Sequence, residues 1–370
     1  MLAKFICTLL LVAMGSAANL DPNSSSFTST VAPTKTIRAT APTSSPTGIL
    51  KYEPSTGGNY FVGGAYALFS ATIFFHVFRH KDLWALCLPI GTFFSAIGFF
   101  LRPSLDPYNV SLGLYIAQSM CIVISPAAFL AFNYMLYGRM ILAVDKNFGR
   151  QSTETEALET QPLSATQKIT KLHKAGGRRT ERSHISFVPP RIVGRVFVCS
   201  DIFTFLLQCA AGGLQASGGS DNKTMVNVGD KLYLGAVIMQ GISYIFFTLL
   251  VTYATFMVIR DGARERASVQ HSNTIMGLGK HVFALFSGLY FSSIFIIIRS
   301  LYRMIEFAQG YDGYLVSHEI YLFVLDAAPL LLAVGIWVVI WPSTLLERIF
   351  EKRFWVAGSY RLSRTASGAH

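Results

Sequence analysis

Seven long apolar runs, separated by polar segments, dominate this sequence. They occupy residues 59–78, 83–101, 111–137, 192–216, 232–259, 281–303 and 319–341. A helix needs about 20 apolar residues to cross the roughly 30 Å of hydrocarbon in a bilayer, and each run is long enough. The runs lack the alternation of polar and apolar residues that spanning strands require. The sequence therefore predicts an all-α polytopic membrane protein, a bundle of seven transmembrane helices.

The composition agrees with a membrane location. Of the 370 residues, 52% are hydrophobic and only 14% are charged, whereas soluble domains carry about 25% charged residues. The formal net charge of +11 would suit nucleic acid, but the charges lie between the apolar runs, where the membrane explains them more simply. We therefore expect no nucleic acid as a partner.

The remaining segments predict a simple domain order. Residues 1–18 have the lysine, short apolar stretch and small residues of a signal peptide. Residues 19–58 are rich in Ser, Thr and Pro and form either an O-glycosylated extracellular stalk or a plain linker. The membrane domain covers 59–341 and includes a cytosolic loop at 138–191, and a basic cytosolic tail follows at 342–370.

Charge and glycosylation motifs predict the same orientation. With the N-terminus outside and the C-terminus inside, the inner segments carry more than twice as many Lys and Arg residues as the outer ones, as the positive-inside rule requires. The three N-x-[ST] motifs, at Asn23, Asn109 and Asn222, all fall on the outer side. We predict that these three asparagines are glycosylated.

A polar stripe runs along the fourth apolar run. Gly194, Asp201, Gln208 and Gln215 recur every seven residues, so they share one helix face. Asp201 lies about nine residues from the inner end, which the 1.5 Å rise per residue places near the midplane. A polar face at this depth must contact other helices or a watery cavity.

Charged residues also occur where the sixth and seventh runs meet near the outer half of the membrane. Arg299, Arg303 and Glu306 share one helix face, and Glu319 and Asp326 are seven residues apart. Isolated charges there would be costly, so we expect Arg299 or Arg303 to pair with an acid of the seventh helix. The group is either a site for a lipid headgroup or coupling ion, or a structural ion-pair lock.

Common catalytic and nucleotide-binding motifs are absent from the sequence. It contains no HExxH motif, no P-loop and no GxSxG in a strand–turn–helix context, and its five cysteines show no metal-binding spacing. We expect a protein that is not an enzyme, with no catalytic residue, cofactor or metal site.

Several motifs together resemble the fungal RTA-like, or lipid-translocating exporter, family. The motifs are Tyr52-x-Pro54-Ser55 with Asn59, Ser125-Pro126-Ala127-Ala128-Phe129 with Tyr134, Phe197-Val198-x-x-Asp201-Ile202, Gln208-x-x-x-Gly212-Gly213, and Arg299-Ser300-x-Tyr302-Arg303-x-Ile305-Glu306-x-x-x-Gly310 with Glu319 and Asp326. Their order and spacing, rather than any one of them, carry the resemblance, which runs from about Tyr52 to Pro342.

The resemblance implies a fungal plasma-membrane protein that exports or flips amphipathic lipids. Its partners would be sphingoid long-chain bases or sterol-like amphiphiles, and members are also tied to resistance to toxic lipophiles and to porphyrin uptake. The substrate-binding residues would be Asp201, Gln208, Arg299, Arg303, Glu306, Glu319 and Asp326, with Asp201 and Asp326 holding the amine. The alternative is a seven-helix receptor, or a regulator of lipid asymmetry with no transport activity of its own.

Glycosylation mapping tests the predicted orientation. Asn109 and Asn222 should each carry a glycan, so that substituting either by Gln removes mass that deglycosylation also removes. An engineered sequon within residues 260–280 serves as the control and should stay unmodified. Glycosylation in that segment would contradict the orientation.

Overall fold

A computed structural model describes residues 54–105, 112–144, 186, 188–218, 223–268, 272–309 and 313–349. Within these ranges the chain is helical and contains no strand, and seven helices are long and apolar enough to cross a membrane. The seven-helix prediction is confirmed. The predicted signal peptide, Asn23, Asn109 and Asn222 lie outside the described residues, so the glycosylation sites and the orientation of the termini stay predictions.

The seven long helices are numbered α1 to α7. They are α1 Thr56–His80, α2 Leu83–Ser104, α3 Leu112–Val144, α4 Pro190–Gly218, α5 Lys223–Ser268, α6 Ser272–Gln309 and α7 Glu319–Val339. A one-turn helix, Tyr314–Ser317, precedes α7, and a short helix at 342–349 follows it. α5 extends beyond the predicted apolar run at both ends, and α3 continues into the predicted loop. The apolar runs do not mark these helix ends, because a helix can continue past the membrane surface.

The seven helices form a closed ring, and α3 also reaches into its interior. Each of α1 to α6 packs against its successor, and α7 packs against both α6 and α1. α3 also contacts α5 and α6, which places it in the interior. Its aromatic side chains fill that interior: the rings of Tyr134 and Tyr137 lie 4.6 and 5.7 Å from the ring of Phe247 on α5. All three side chains are fully buried.

Two glycines let α2 approach α3 closely. A Cβ atom added at Gly91 would lie 2.7 Å from the Cβ of Ala128, and one added at Gly98 would lie 2.7 Å from Cγ1 of Ile122. Small residues at helix contacts of this kind let two backbones pack by van der Waals contact inside a bilayer.

The backbone of α7 departs from a regular α-helix over Leu322–Ala327, which forms a π-helical turn. Pro329 follows this turn and supplies no N–H donor to it. The hydroxyl of Tyr66 on α1 donates a hydrogen bond of 2.9 Å to the carbonyl oxygen of Ala327, so α1 supports the altered backbone. Asp326 lies within the turn, which changes where this carboxylate points along the helix.

The opposite end of the bundle is held by a buried carboxylate. α1 ends at His80 and is capped by Lys81, which adopts the left-handed conformation with φ 57°, and the next residue is Asp82. Its carboxylate accepts hydrogen bonds from the indole N–H groups of Trp84, at 3.3 Å, and Trp341, at 3.1 Å. The guanidinium of Arg139 on α3 lies 4.5 Å from the centre of the Trp84 ring. Asp82 thereby joins the α1–α2 connection to the end of α7.

Burial raises the pKa of Asp82 above its ordinary value of 3.8, and its hydrogen bonds and the charge of His80 offset only part of this shift. The guanidinium of Arg139 also interacts electrostatically with Asp82. Because the folded pKa exceeds the unfolded one, ionisation of Asp82 costs stability as the pH rises from about 4 through the folded pKa. Below that window the carboxyl group is protonated in both states and the cost vanishes.

Replacing Trp341 should therefore destabilise the protein in a pH-dependent way. Trp341→Phe removes a donor to a buried carboxylate, which is worth about 1.5–3 kcal/mol, and raises the pKa of Asp82 further. The loss in melting temperature of the detergent-purified protein should be small near pH 4 and grow toward pH 7. Trp337→Phe is the matched control, since the buried Trp337 indole N–H has no hydrogen-bond partner. Equal pH profiles for the two variants would contradict this account.

Candidate functional site

An arginine–carboxylate cluster lies where α6 ends and α7 begins, at the predicted outer end of the bundle. It consists of Arg299, Arg303 and Glu306 on α6 and Asp326 on α7. The Nε atom of Arg299 lies 2.9 Å from Oδ1 of Asp326, and Arg303 contacts both carboxylate oxygens of Asp326. The predicted pairing of Arg299 or Arg303 with an acid of the seventh helix is confirmed: Asp326 forms an ion pair with each of them and accepts hydrogen bonds from Arg303.

Glu306 completes this cluster. Nη1 of Arg303 donates to Oε2 of Glu306 at 3.0 Å, and the hydroxyl of Tyr302 donates to Oε1 at 3.2 Å. Asp326 is almost fully buried, and the other charged side chains of the cluster are only slightly more exposed. The cluster therefore contains two cations and two anions in an environment that penalises any unbalanced charge.

Glu319, seven residues before Asp326, serves a different contact. Its carboxylate accepts hydrogen bonds from the side-chain amide of Asn59 and the backbone N–H of Ser55, both at 2.7 Å. Nε of Arg102 at the end of α2 lies 3.7 Å away. Glu319 thus joins the start of α7 to the start of α1 and the end of α2, and the structure separates it from the arginine–carboxylate cluster.

A pocket lies beside this cluster, among α3, α4, α5 and α6. Its cavity volume is about 20 Å³, which is room for a water-sized group. Its lining residues are Val123 and Pro126 from α3, Gln208 from α4, Tyr233, Val237 and Gln240 from α5, and Arg299, Ser300 and Arg303 from α6. Six of these nine residues are polar or charged, so the pocket offers several hydrogen-bonding groups beside an apolar surface.

The predicted polar stripe of α4 forms one wall of this region. The side-chain amide of Gln208 donates to Oε1 of Gln240 on α5 at 3.0 Å, and that of Gln215 donates to Oδ1 of Asp230 at 2.8 Å. Tyr233 and Gln240 of the pocket were absent from the predicted site. Their seven-residue spacing on the fifth run is the signal that points to them.

Asp201 lies deeper on the same face of α4, and its carboxylate is unpaired. The residue is 3% exposed, and neither carboxylate oxygen has a hydrogen-bond partner. The hydroxyl of Tyr134 on α3 faces the carboxylate and interacts with it, but the two groups do not reach the geometry of a regular hydrogen bond. Among the acidic residues that the structure describes, Asp201 alone has two buried, unpartnered carboxylate oxygens.

A polar network connects the helices near this level. The amide of Asn133 on α3 donates to the hydroxyl of Tyr244 on α5, at 3.0 Å, and to that of Ser292 on α6, at 3.3 Å. Tyr244 in turn donates to Ser293 at 2.9 Å. All four residues are buried. The sequence did not predict this network, because these residues occur in the apolar runs without a periodic pattern.

The described residues contain no group of three or more His, Cys, Asp or Glu side chains that could hold a metal ion. The arrangement can instead offer a carboxylate, amides, hydroxyls and charge-balanced guanidinium groups to a ligand. Those groups suit non-covalent recognition of a polar headgroup beside an apolar tail.

Known proteins resemble this chain across most of the helical bundle. Protein RTM1 of Saccharomyces cerevisiae is 26% identical over 249 residues, which are 67% of this chain and 64% of that protein. Protein RTA1 of Saccharomyces cerevisiae (strain ATCC 204508 / S288c) is 26% identical over 275 residues, covering 74% of this chain and 71% of the relative.

A third relative has a name that states an activity. The sphingoid long-chain base transporter RSB1 of Saccharomyces cerevisiae (strain YJM789) is 24% identical over 189 residues, covering 45% of this chain and 48% of that protein. No solved structure matches. The RTA1 like protein family matches residues 88–155 and 178–349, which include the cluster, the pocket and Asp201, and the chain therefore belongs to the RTA1-like family of multi-pass membrane proteins.

Proposed function

We propose that this protein transports amphipathic lipids with a cationic headgroup, such as sphingoid long-chain bases, across the plasma membrane. The observation that carries this proposal is the buried, unpaired carboxylate of Asp201 on the polar face of α4. An ammonium group forms charge-assisted hydrogen bonds with a carboxylate, about twice as strong as neutral ones. The relative named as a sphingoid long-chain base transporter supports the same substrate class.

The residues expected to bind substrate differ in how far their polar groups are already occupied by contacts within the protein. The carboxylate of Asp326 is already held by Arg299 and Arg303, so the amine is assigned to Asp201. Gln208 lies two helical turns away on the same face and lines the pocket, where its amide can bind the headgroup hydroxyls of a sphingoid base. Arg299 and Arg303 also line the pocket and supply donors whose charge is offset within the cluster.

In this proposal the protein performs no chemical step. Substrate enters the pocket with its apolar tail between helices, and its headgroup passes along the polar face of α4 toward Asp201. Reorganisation of the helices that surround the pocket then exposes the headgroup to the other side.

Purified protein in liposomes gives the direct test. A labelled long-chain base placed in one leaflet should cross to the other faster than in protein-free liposomes. A seven-helix receptor or a regulator would bind the base without moving it, so an unchanged crossing rate would support that alternative and contradict transport.

Asp201→Asn should remove function while preserving the fold, because it keeps the side-chain shape and removes only the charge. Loss of a charged hydrogen bond of about 1.5–3 kcal/mol should weaken amine binding by about 10-fold to 100-fold. Cells that carry this variant should show normal surface expression and lose protection against toxic long-chain bases. The control is Asp230→Asn, at the start of α5, which should retain protection. Equal protection by both variants would rule out the role of Asp201.

The arginine–carboxylate cluster can be tested for a purely structural role. Asp326→Asn leaves two buried arginines with one partner fewer, which should destabilise the protein by about 3–5 kcal/mol. Adding Arg299→Met restores the charge balance and should recover part of the melting temperature in detergent. A double variant that is stable yet inactive would place the cluster in the binding site, and one that is stable and active would show that it is a structural lock. An unchanged melting temperature in Asp326→Asn would contradict the importance of the pairing.

A further inference from the structure

The Asp201 carboxylate poses an electrostatic problem that the rest of the bundle does not solve. A charged side chain at the membrane centre is energetically costly, and buried charges are normally paired. Here both carboxylate oxygens are buried without a partner. Asp326, the comparable acid on α7, is instead contacted by two arginines. The charge of Asp326 is therefore balanced within the protein, whereas the charge of Asp201 is not.

The groups around Asp201 provide no compensating charge. α4 packs against α3 and α5, and the titratable groups that face Asp201 from them are the hydroxyls of Tyr134 and Tyr244. Neither is a cation. Thr204, one turn along α4, donates its hydroxyl to the backbone carbonyl of Asp201 and leaves the carboxyl group unaffected. No Lys, Arg or His of the described residues forms an ion pair with Asp201.

A carboxyl group in this position is stable in the membrane when it is neutral, and a bound proton is the simplest way to make it so. A cationic headgroup would also neutralise it, as an ion pair. Proton and cation cannot both occupy it favourably, because a protonated carboxyl group has no charge to attract an ammonium.

We propose, building on the transport function proposed above, that Asp201 is a proton-exchange site at which the cationic headgroup of the substrate replaces a carboxyl proton. The neutral carboxylic acid releases its proton to water as the O–H bond breaks, and the carboxylate that remains pairs with the headgroup cation. The site stays neutral overall at both stages. When the cation leaves on the other side, the carboxylate takes up a proton there.

This exchange has a distinctive energetic consequence. One proton moves in one direction for each cation that moves in the other, so no net charge crosses the membrane. A pH gradient should therefore drive transport, whereas a membrane potential should not. Simple movement of a cation along the same path would show the opposite dependence.

The proton released on binding can be counted with a probe that carries no exchangeable proton on its headgroup. N,N,N-trimethylsphingosine is permanently cationic, so any proton that appears must come from the protein. In weakly buffered detergent solution, the full-length protein should release about one proton per bound cation, as pairing with a single carboxylate requires. Asp201→Asn should release none, and Asp230→Asn should behave like the unmodified protein.

Infrared spectroscopy tests the ligand-free state independently. The unmodified protein should show the C=O stretch of a protonated carboxylic acid at neutral pH, and Asp201→Asn should lack that band. Because Asn cannot ionise, this variant should also fold and remain at least as stable. Absence of the band, binding without proton release, or no binding of the probe would each overturn the exchange.

Transport in liposomes separates this inference from the function on which it rests. Movement of labelled N,N,N-trimethylsphingosine that responds to a pH gradient and is unaffected by a potassium-diffusion potential supports the exchange, because this cation cannot cross as a neutral amine. Movement that responds only to the potential overturns the exchange and leaves the transport function intact. No movement under either gradient, with the infrared band present and proton release intact, would contradict transport while keeping the binding site.

Discussion

The contact of one carboxylate with two arginines holds together the part of the bundle that is most polar. Asp326 lies in a π-helical turn of α7 and contacts both Arg299 and Arg303 of α6. Without that pairing, two guanidinium groups would be buried beside a pocket with too little compensating charge. Tyr66 of α1 supports the altered backbone next to Asp326, and both arginines line the pocket, so the ion pairs, the π-helical turn and the pocket lie together.

Asp326 and Asp201 differ in whether they have ion-pair partners, and the proposed function depends on this difference. Both acids are buried within membrane-spanning helices, but one is fully committed to internal ion pairs and the other has no partner. A carboxylate in an internal ion pair already has its charge balanced. A buried carboxylate without such a partner is stable only when a proton or an external cation neutralises it.

The sequence alone predicts the features that follow from hydropathy averaged over a long segment and from the energetic cost of an unpaired charge in the membrane. The seven helices follow from hydropathy, and the pairing of Arg299 and Arg303 with α7 follows from the penalty for unpaired charges in hydrocarbon. The π-helical turn could not be predicted, because it depends on how α7 packs against α1 and α6. The attachment of Glu319 to Asn59 and Arg102 was also missed, since ring closure by helices distant in sequence decides which helix ends meet.

In the proposed mechanism, the headgroup of a cationic lipid binds at the Asp201 carboxylate. An experimental structure of the full chain with bound N,N,N-trimethylsphingosine would test this most directly. The account predicts density for the quaternary ammonium against the Asp201 carboxylate, beside Tyr134, with the chain directed along α4 toward the pocket. Density confined to the arginine–carboxylate cluster or to the outer surface of the bundle, with Asp201 still enclosed and unpartnered, would contradict it.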